Sequence, residues 1–469
     1  MDVRLAGLRV TVIGLAREGT ALARFLAAQG AQVTVSDLKG PEELQGRLAQ
    51  LAGLDVRLAL GGHPPEVLAA DVVFLSPGVP ADAPVAVEAR RLGAALSSET
   101  RLFTRLCPAP VVGITGSSGK TTTVTLVGRM LAAAGLRAFV GGNIGQPLIE
   151  RLPEIAPQDR AVLELSSFQL EGFGPAVPPA KVFPEGGWSP EVAAITNITP
   201  NHLDRHPTMQ AYIDAKANIL RFQGPQSWAI LNADDPITRG LHSLCRGKVL
   251  AFSLEQEPDA GAWLAGDTLL WRPEPARAAE RICLVSELKL RGRHNIANVL
   301  AACAVSGAAG ATAAAMREVA VTFAGVEHRL EPVRTLRGVT YYNDSIATSP
   351  ERSMAALRAF DEPLVLLAGG RDKHLPWAEW ATLVGERVRD CICFGEMAPL
   401  LLQALGPVAA GRGLRVHACS TLEQAVALAA QIARPGDVVL LSPGGTSFDA
   451  YVDFAARGEA FRQAVRALS

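Results

Sequence analysis

The sequence predicts an α/β protein of three consecutive α/β domains with mainly parallel sheets. Short apolar strand patterns alternate with Ala- and Leu-rich helical patterns along almost the whole chain, which is typical of parallel sheets covered by helices. The chain has 469 residues, of which 49% are hydrophobic and 19% charged. It is therefore too long for one ordinary core and too apolar to be disordered.

The first domain is predicted over residues 1–107 and has a Rossmann-like pattern. A strand over residues 9–14 precedes a helix from about Gly19 to Gln29, and the next strand covers residues 32–37. A further strand pattern over residues 72–78 ends in a turn. The two prolines at Pro108 and Pro110 mark the domain boundary, because proline interrupts both helices and sheet pairing.

The central and C-terminal domains are predicted over residues 108–324 and 325–469. Each contains four strand patterns with helices between them, at 111–115, 161–164, 192–196 and 228–232, and at 339–343, 364–368, 391–394 and 438–441. Residues 252–291 have short alternating runs separated by Gly, Asp and Pro, which predict a small antiparallel side sheet in the central domain. The last domain is again Rossmann-like.

Composition excludes several classes of function. The formal net charge is -1 and the chain has no basic run, so nucleic acid is not expected as a partner. An anionic substrate must then be bound by a few placed cations. Seven scattered cysteines without CxxC spacing, and an N-terminus without a secretory pattern, indicate a cytoplasmic protein. The most apolar long stretch, residues 296–316, is interrupted by Asn, Ser and Gly and predicts a buried helical region, not a membrane span.

The strongest local motif is Gly-Ile-Thr-Gly-Ser-Ser-Gly-Lys-Thr-Thr at residues 113–122. It follows a strand pattern and opens a helix pattern. Small residues let backbone N–H groups surround phosphate oxygens, Lys120 supplies a cation, and Thr121 can bind Mg²⁺. The first glycine, Gly113, stands one position earlier than in the standard GxxxxGK[ST] pattern. The motif nevertheless predicts nucleotide binding.

A second motif, Gly-Leu-Ala-Arg-Glu-Gly at residues 14–19, lies at the first strand-to-helix turn, and Asp37 ends the next strand. Dinucleotide folds place a phosphate-binding turn and a ribose-binding acid at these positions. The spacing is GxxxxG and not GxGxxG, so a diphosphate ligand other than NAD is favoured. A plain tight turn remains the alternative.

Three polar residues of the central domain are candidate metal or catalytic residues. Glu164 ends a strand, at the sheet edge where ligands bind, so a metal role is indicated. His202 follows another strand and is equally consistent with a ligand and with a structural histidine. Lys216, judged by itself, has the pattern of a solvated lysine on a helix.

Further polar motifs follow at helix starts and strand ends. Asn295 and Asn298 are one helical turn apart, Arg329 opens the third domain, and Asp344 ends its first strand. Each residue alone is consistent with a cap or a turn. Together with the loop at 113–122, they predict a site between domains.

These motifs, in their order and spacing, resemble those of the Mur ligases, the amide-bond ligases of peptidoglycan synthesis, over nearly the whole chain. The motif residues are Gly142-Asn143-Ile144-Gly145, Glu164 to Gln169, Asn197 to His206, His294 to Asn298, His328-Arg329 and Asn343 to Ser345. Four segments are similar to the glutamate-adding members of that family: Gly14 to Gly19, Ser76-Pro77-Gly78, Leu367 to Lys373 and Leu440 to Asp449.

The resemblance implies three domains that bind a UDP-sugar, ATP and an amino acid. It implies that ATP phosphorylates the carboxylate of UDP-N-acetylmuramoyl-L-alanine and that the amine of D-glutamate then displaces phosphate. Lys120, His202 and Lys216 would be catalytic. Thr121 and Glu164 would hold one Mg²⁺, and His202 and Lys216 a second, with Lys216 as a carbamate. We expect a monomer whose partners are these small molecules.

The implied ligand contacts form three sets. ATP would be bound by Gly116, Ser117, Ser118, Gly119, Lys120, Thr121, Thr122, Asn295, Arg329 and Asp344. The UDP substrate would be bound by Leu15, Ala16, Arg17, Asp37, Ser76, Pro77, Gly78, Asn143, Ser166 and Gln169. Glutamate would be bound by Thr348, Lys373, Ser447 and Phe454.

The sequence departs from the family pattern at three places. Asn201 replaces an acid that often precedes the motif histidine, Ile346 replaces a frequent lysine, and residues 443–447 replace a common Pro-Ala-Cys-Ala-Ser. Two of the three departures lie in the amino-acid domain. A ligase that adds L-glutamate or another amino acid, a folylpolyglutamate-synthetase-like enzyme, and a nucleotide-gated switch protein therefore remain as alternatives.

Overall fold

Three β-sheets organise the described part of the chain. A computed structural model describes residues 4–80, 82–174, 187–200, 205–290, 292–373 and 375–469, with only the backbone of residues 410–412. Within these residues the sheets have five, nine and six strands. The chain divides into two compact units, Met1–Leu288 with Arg293–Thr322, and Lys289–Gly292 with Phe323–Ser469.

The first sheet is parallel and has the strand order β3-β2-β1-β4-β5. Its order reverses between β1 and β4, and a crevice at such a point is where ligands bind in open α/β sheets. The elements are β1 Arg9–Ile13, α1 Arg17–Ala28, β2 Gln32–Asp37, α2 Pro41–Leu48, β3 Val56–Leu60, α3 Pro65–Leu68, β4 Val72–Leu75, α4 Pro84–Arg91, β5 Ala95–Ser97 and α5 Glu99–Leu106.

The second sheet has the order β14-β13-β12-β11-β10-β9-β6-β8-β7. Its parallel part includes the four strands predicted from the sequence. The elements are β6 Val111–Thr115, α6 Lys120–Ala133, β7 Ala138–Gly142, β8 Arg160–Glu164, α7 Ser167–Glu171, β9 Val192–Ile195, α8 Met209–Arg221, β10 Trp228–Asn232, α9 Pro236–Gly240, β11 Lys248–Ser253, β12 Gly261–Ala265, β13 Thr268–Arg272, β14 Glu280–Leu284, α10 Arg293–Ala308 and α11 Ala313–Thr322.

The antiparallel strands of the central domain do not form a separate side sheet, so that prediction was wrong. β13 is antiparallel to both β12 and β14, as expected, but β12 pairs with β11 in parallel and extends the main sheet. Gly261 makes this pairing possible: its φ is +135°, and a Cβ there would overlap the backbone of Ala251. The alternating hydrophobic pattern predicted these strands, whereas the close contact between Gly261 and Ala251 determined where they join the sheet.

One hydrophobic cluster extends through the first and second sheets. It includes Val12 and Phe74 from the first sheet, Phe103 from α5, and Phe139 and Leu163 from the second sheet. A shared core explains why both sheets belong to one compact unit. The boundary at residues 107 and 108 therefore stays a prediction, as does the boundary at residues 324 and 325.

The third sheet has the order β15-β16-β20-β17-β18-β19 and is parallel except for the edge strand β15. The four predicted strands are confirmed. The edge strands β15 and β19 were missed because they are only partly buried and so lack a continuous apolar run. The elements are β15 Glu331–Leu336, β16 Val339–Asn343, α12 Pro350–Leu357, β17 Leu364–Gly369, α13 Ala378–Arg387, β18 Val388–Phe394, α14 Ala398–Arg412, β19 Arg415–Cys419, α15 Leu422–Ile432, β20 Val438–Gly444 and α16 Phe454–Arg466.

The apolar stretch at residues 296–316 lies in α10 and the start of α11, where Val299, Leu300 and Met316 are buried. Across the described ranges, the structure has no helix that is both long and apolar enough to cross a membrane.

Candidate active site

The loop between β6 and α6 has the strand–loop–helix form that its sequence predicts. Gly116 and Gly119 have φ values of +150° and +80°. A Cβ at Gly116 would overlap the Thr196 hydroxyl, and a Cβ at Gly119 would overlap the Asn298 side chain. Both positions therefore require glycine, and α6 begins directly after the loop, at Lys120.

Lys120 lies over this loop. Its Nζ donates to the carbonyl oxygens of Gly116, at 2.9 Å, and Ser117, at 3.2 Å. The loop is tied to the segment after β9, since the Ser118 N–H donates to the Oδ1 of Asn197 at 2.9 Å. A positive charge, a helix N-terminus and a rigid glycine-containing loop thus occupy one place, which suits a phosphate group.

Glu164 ends β8 beside this loop and is 3% exposed. The hydroxyl of Thr121 donates to its Oε2 at 2.8 Å, and the side-chain amide of Asn143 donates to its Oε1 at 3.3 Å. The sequence grouped Asn143 with the UDP-substrate residues and did not predict its contact with Glu164. The hydroxyl and the carboxylate are hard oxygen donors of the kind that Mg²⁺ prefers.

Lys216 is 2% exposed, so the reading of this residue alone as a solvated lysine was wrong. It lies on α8, which packs against β6 and β9 and turns this side chain inward. Its Nζ donates to the Gly116 carbonyl at 2.9 Å and to the Thr115 hydroxyl at 3.3 Å. Burial, and then the charge of Lys120, lower its pKa to about 6, against the opposing effect of Glu164.

His202 and the departure at Asn201 lie outside the described residues. His206, from the same motif, is buried and lies 2.9 Å from the Ser167 hydroxyl and 3.2 Å from a Glu171 carboxylate oxygen. Within the residues that the structure describes, no group of three or more His, Cys, Asp and Glu side chains could hold a metal ion. The described candidates for ligands are Thr121, Glu164 and Lys216.

Ser166 and Gln169 form a capping box at the start of α7. The N–H and the hydroxyl of Ser166 both donate to the Oε1 of Gln169 at 3.0 Å, and the Gln169 N–H returns a bond to the Ser166 hydroxyl at 3.2 Å. Ser166 is partly exposed, whereas Gln169 is only 4% exposed. Asn295 and Asn298 are also paired, since the Asn298 amide donates to the Oδ1 of Asn295 at 3.1 Å, and Asn298 lies beside Gly119.

The predicted UDP-substrate turn is assembled at the carboxyl ends of β1, β2 and β4. The Leu15 N–H donates to an Asp37 carboxylate oxygen at 2.6 Å, and the Ser76 hydroxyl donates to the Gly14 carbonyl at 3.2 Å. Gly14 has a φ of +92°, and a Cβ there would come within 2.7 Å of the Ser76 hydroxyl oxygen. Leu15 itself is buried, so only its backbone faces the turn, while Ala16 and Arg17 are exposed at the start of α1.

Models of three protein-domain families match this chain. They describe a Mur ligase MurD-like N-terminal domain at residues 8–97, a Mur ligase middle domain at residues 114–306, and a Mur ligase glutamate ligase domain at residues 328–445. The three matches together cover most of the chain.

The chain belongs to the Mur ligase family.

Similar proteins of known name include two UDP-N-acetylmuramoylalanine–D-glutamate ligases. The one from Symbiobacterium thermophilum is 45% identical over 464 residues, 98% of each chain, and the one from Roseiflexus sp. is 42% identical over the whole of both chains. Among solved structures, a UDP-N-acetylmuramate–alanine ligase from Thermotoga maritima aligns with a TM-score of 0.60 at 18% identity, covering 98% of this chain and 99% of that one. That likeness shows the fold alone. Mur ligases use ATP and Mg²⁺.

The four predicted glutamate-binding residues lie in the second unit. Lys373 Nζ donates to the Thr348 hydroxyl at 3.4 Å, so two of the four predicted glutamate residues are in contact. Burial, and then the charges of Arg352 and Arg457, lower the Lys373 pKa. Arg352 and Arg457 therefore add positive charge to the surroundings of Lys373.

Arg457 is a residue of this unit that sequence reasoning missed. It is fully buried on α16, and its guanidinium donates to the carbonyl oxygens of Ser345, Gly445 and Thr446 at 2.9 to 3.1 Å. It thereby ties the turn after β16 to the loop that leads to Ser447. An arginine in an otherwise amphipathic helix gives no sequence signal for this role.

The remaining predicted residues of the unit have these positions. Asp344 is buried, and its carboxylate accepts from the Leu330 N–H at 3.2 Å and the Ser442 hydroxyl at 2.9 Å. Burial raises the Asp344 pKa to about 7. Phe454 packs edge-on against His328, with ring centroids 6.1 Å apart, and its carbonyl accepts from the Ser345 hydroxyl. Ser447 is buried, and Arg329 follows His328 in the turn before β15.

Proposed function

We propose that this Mur ligase joins D-glutamate to UDP-N-acetylmuramoyl-L-alanine with hydrolysis of ATP to ADP and phosphate. The observation that supports this most is the group formed by Lys120, the Thr121–Glu164 pair and buried Lys216 at one edge of the second sheet. Full-length relatives at 45% and 42% identity with that name support the choice of substrates.

The reaction is a phosphoryl transfer followed by an acyl transfer. A carboxylate oxygen of the muramoyl-alanine attacks the γ-phosphorus, ADP leaves, and an acyl phosphate forms. The neutral amine of glutamate then attacks the acyl carbon, phosphate leaves with the C–O bond electrons, and the amine loses a proton. Such chemistry depends on charge neutralisation and positioning more than on a covalent protein group.

Each residue of the loop has a role that its position supports. Lys120 would exchange its bonds to the Gly116 and Ser117 carbonyls for the β- and γ-phosphate oxygens of ATP. The first turn of α6 adds N–H donors and the positive end of the helix dipole. Gly116, Ser117, Ser118, Gly119 and Thr122 would surround the phosphates, with Asn295, Arg329 and Asp344 as further ATP residues.

Mg²⁺, when bound, would neutralise phosphate charge in this site. Thr121 and Glu164 fit one ion, because a hydroxyl and a carboxylate already meet there at 2.8 Å. Lys216 and His202 would serve a second. A carbamate requires a neutral amine that attacks CO₂ and releases a proton, and the lowered pKa of Lys216 leaves its amine neutral near pH 7. As a carbamate, Lys216 would offer oxygen ligands.

The other two substrates would bind at the remaining groups. The turn of Leu15, Ala16 and Arg17 would hold the diphosphate and Asp37 the ribose, with Ser76, Pro77 and Gly78 beside them. Asn143, Ser166 and Gln169 would serve the muramoyl end. Thr348, Lys373, Ser447 and Phe454 would bind glutamate. The cytoplasmic location and the monomeric state stay predictions.

Mass spectrometry of the reaction product tests the proposal. Purified protein with ATP, Mg²⁺ and UDP-N-acetylmuramoyl-L-alanine should form a glutamate-extended product with D-glutamate and much less with L-glutamate. Lys120→Ala should abolish the product. Lys248→Ala should leave product formation unchanged. Lys248 is exposed and begins β11, so it lies at the opposite end of the parallel strands from the site. Preference for L-glutamate or a folate substrate, or ATP hydrolysis that needs no UDP substrate, would contradict the proposal.

A further inference from the structure

A chain of hydrogen bonds leads from Ser166 to the helix α5 that precedes the second sheet. The Gln169 carbonyl oxygen accepts both bonds from Ser166, so the orientation of its amide is determined and its NH₂ group points away from Ser166. That NH₂ group donates to the hydroxyl of Thr100 at 3.0 Å. Gln169 and Thr100 are both buried. Thr100, which is not part of any substrate motif, thus holds Gln169, and Gln169 in turn contacts Ser166.

The chain of hydrogen bonds continues from Thr100 to Glu99, the first residue of α5. The Thr100 hydroxyl, which accepts from Gln169, donates to the Oε2 of Glu99 at 3.4 Å, and Glu99 is 8% exposed. Glu99 lines a cavity of about 10 Å³ together with Glu18, Ser76 and Pro77. Glu18 lies in the first turn of α1, one residue after Arg17. Two of the residues proposed for the UDP substrate therefore border the same cavity as Glu99.

The surroundings of this cavity favour the protonated form of the Glu99 carboxyl group. Burial, and then the charge of Glu18, raise the pKa of Glu99 to about 8, against the opposing effects of the Thr100 hydrogen bond, the Ile149 backbone and Arg17. Burial also raises the pKa of Glu18, whose Oε2 is buried and has no hydrogen-bond partner among the described residues. The charged groups on the elements packed here are Arg17, Glu18 and Arg24 on α1, Glu99, Arg101 and Arg105 on α5, Glu150, Arg151 and Glu154 in the segment Leu148–Glu154, and Glu171 on α7.

We propose that Thr100 and Glu99 are positioning residues for the UDP-muramoyl substrate. Thr100 holds Gln169, and through it the Ser166 hydroxyl, in one orientation toward the muramoyl end. Glu99 accepts the hydrogen bond from Thr100. In its protonated form, Glu99 adds no negative charge beside the turn that is proposed to bind the diphosphate. The inference rests on the proposed function, because it assumes that Ser166 and the turn at Leu15 to Arg17 bind this substrate.

The hydroxyl of Thr100 is tested by steady-state kinetics. Thr100→Val keeps the size of the side chain and removes the hydroxyl, so the KM for the UDP substrate should rise about fivefold, the effect of one lost hydrogen bond. The KM for ATP should change less than about twofold. Thr100→Ser should restore the wild-type KM. The control is Thr104→Val on the same helix, whose hydroxyl donates to the Arg101 carbonyl.

The proton on Glu99 is tested by calorimetric titration of UDP-N-acetylmuramoyl-L-alanine between pH 7 and pH 9.5. Wild-type affinity should fall as pH rises past about 8, where Glu99 becomes ionised. Glu99→Gln should bind like the wild type at pH 7 and lose most of this pH dependence. A merely structural role would not flatten the pH profile.

The outcomes separate this inference from the proposed function. If the wild type neither binds nor extends the UDP substrate, the proposed function fails. If the wild type is active but Thr100→Val leaves the KM unchanged, or Glu99→Gln keeps the wild-type pH profile, the positioning role is refuted. Thermal melting checks that the variants fold, and if Thr100→Val does not fold, the Glu99→Gln profile alone decides.

Discussion

The Nζ of Lys216 donates a hydrogen bond to the carbonyl of Gly116 at 2.9 Å, across 100 residues of sequence. This contact places a buried amine against the loop that is proposed to hold the phosphates of ATP. Burial and the charge of Lys120 lower the pKa of this amine to about 6. A buried ammonium near a magnesium site would repel the ion, whereas a carbamate would supply oxygen ligands.

We expect Lys216→Ala to lose most of the ligase activity, with partial restoration by acetate or formate. A short carboxylate can replace the oxygens of the carbamate in the space that the truncated side chain leaves. Product formation with and without added carboxylate measures the effect, and Lys248→Ala, an exposed lysine, is the control. Full activity of the Lys216→Ala variant would show that the residue is structural.

Gly119→Ala should lower both stability and ATP affinity. The residue has a φ of +80°, and a Cβ would also overlap the Asn298 side chain. Gly135→Ala is a matched control, because its φ is +78° but nothing lies within 4 Å of the added Cβ. The control should show only the backbone cost of about 1 to 2 kcal/mol. Denaturant unfolding and nucleotide titration distinguish the two variants, and equal effects would mean that the overlap has no consequence.

Lys373→Ala should raise the KM for glutamate at least about tenfold, which corresponds to a loss of roughly 1.4 kcal/mol. Glutamate has two carboxylates, and burying them without a cation is unfavourable. The KM for ATP should change far less. Arg358→Ala, an exposed residue at the end of α12, serves as the control. An unchanged glutamate KM for Lys373→Ala would mean that the amino-acid site lies elsewhere.

Asp390→Asn should destabilise the second unit at neutral pH. Burial disfavours the Asp390 carboxylate, but hydrogen bonds from Arg415, Arg389 and His417 outweigh this effect and lower its pKa to about 2. Removing its charge breaks the ion pair with Arg415, whereas Arg389 keeps its second pair with Asp437. Breaking a buried pair typically costs about 3 kcal/mol.

The pH dependence of this effect has a definite sign. The unfolded-state pKa of an aspartate is about 3.9, above the folded-state value. The carboxylate of Asp390 therefore stabilises the fold above that pH and loses this contribution as pH falls toward 2. The difference in unfolding free energy between the wild type and Asp390→Asn, measured in denaturant, should shrink from pH 5 to pH 2. Asp361→Asn, with a fully exposed side chain, should show no such difference.

The sequence by itself determined the local structures of the site. Glycines at 116 and 119 before Lys120 predicted the tight turn between β6 and α6, because such backbone angles are open to few other residues. Asp37 and Ser76 were predictable neighbours of the turn at Gly14, since the carboxyl ends of parallel strands meet at one edge.

Only the tertiary structure decided which polar residues are buried and what they contact. Lys216 has the helical context of a surface lysine, and its burial depends on how α8 packs onto β6 and β9. Gln169 and Thr100 are 69 residues apart, and no periodicity relates them. A hydrophobic pattern shows which face of a helix or strand is buried, but not which other element packs against that face. Contacts made by packing between distant elements were therefore beyond the reach of sequence reasoning.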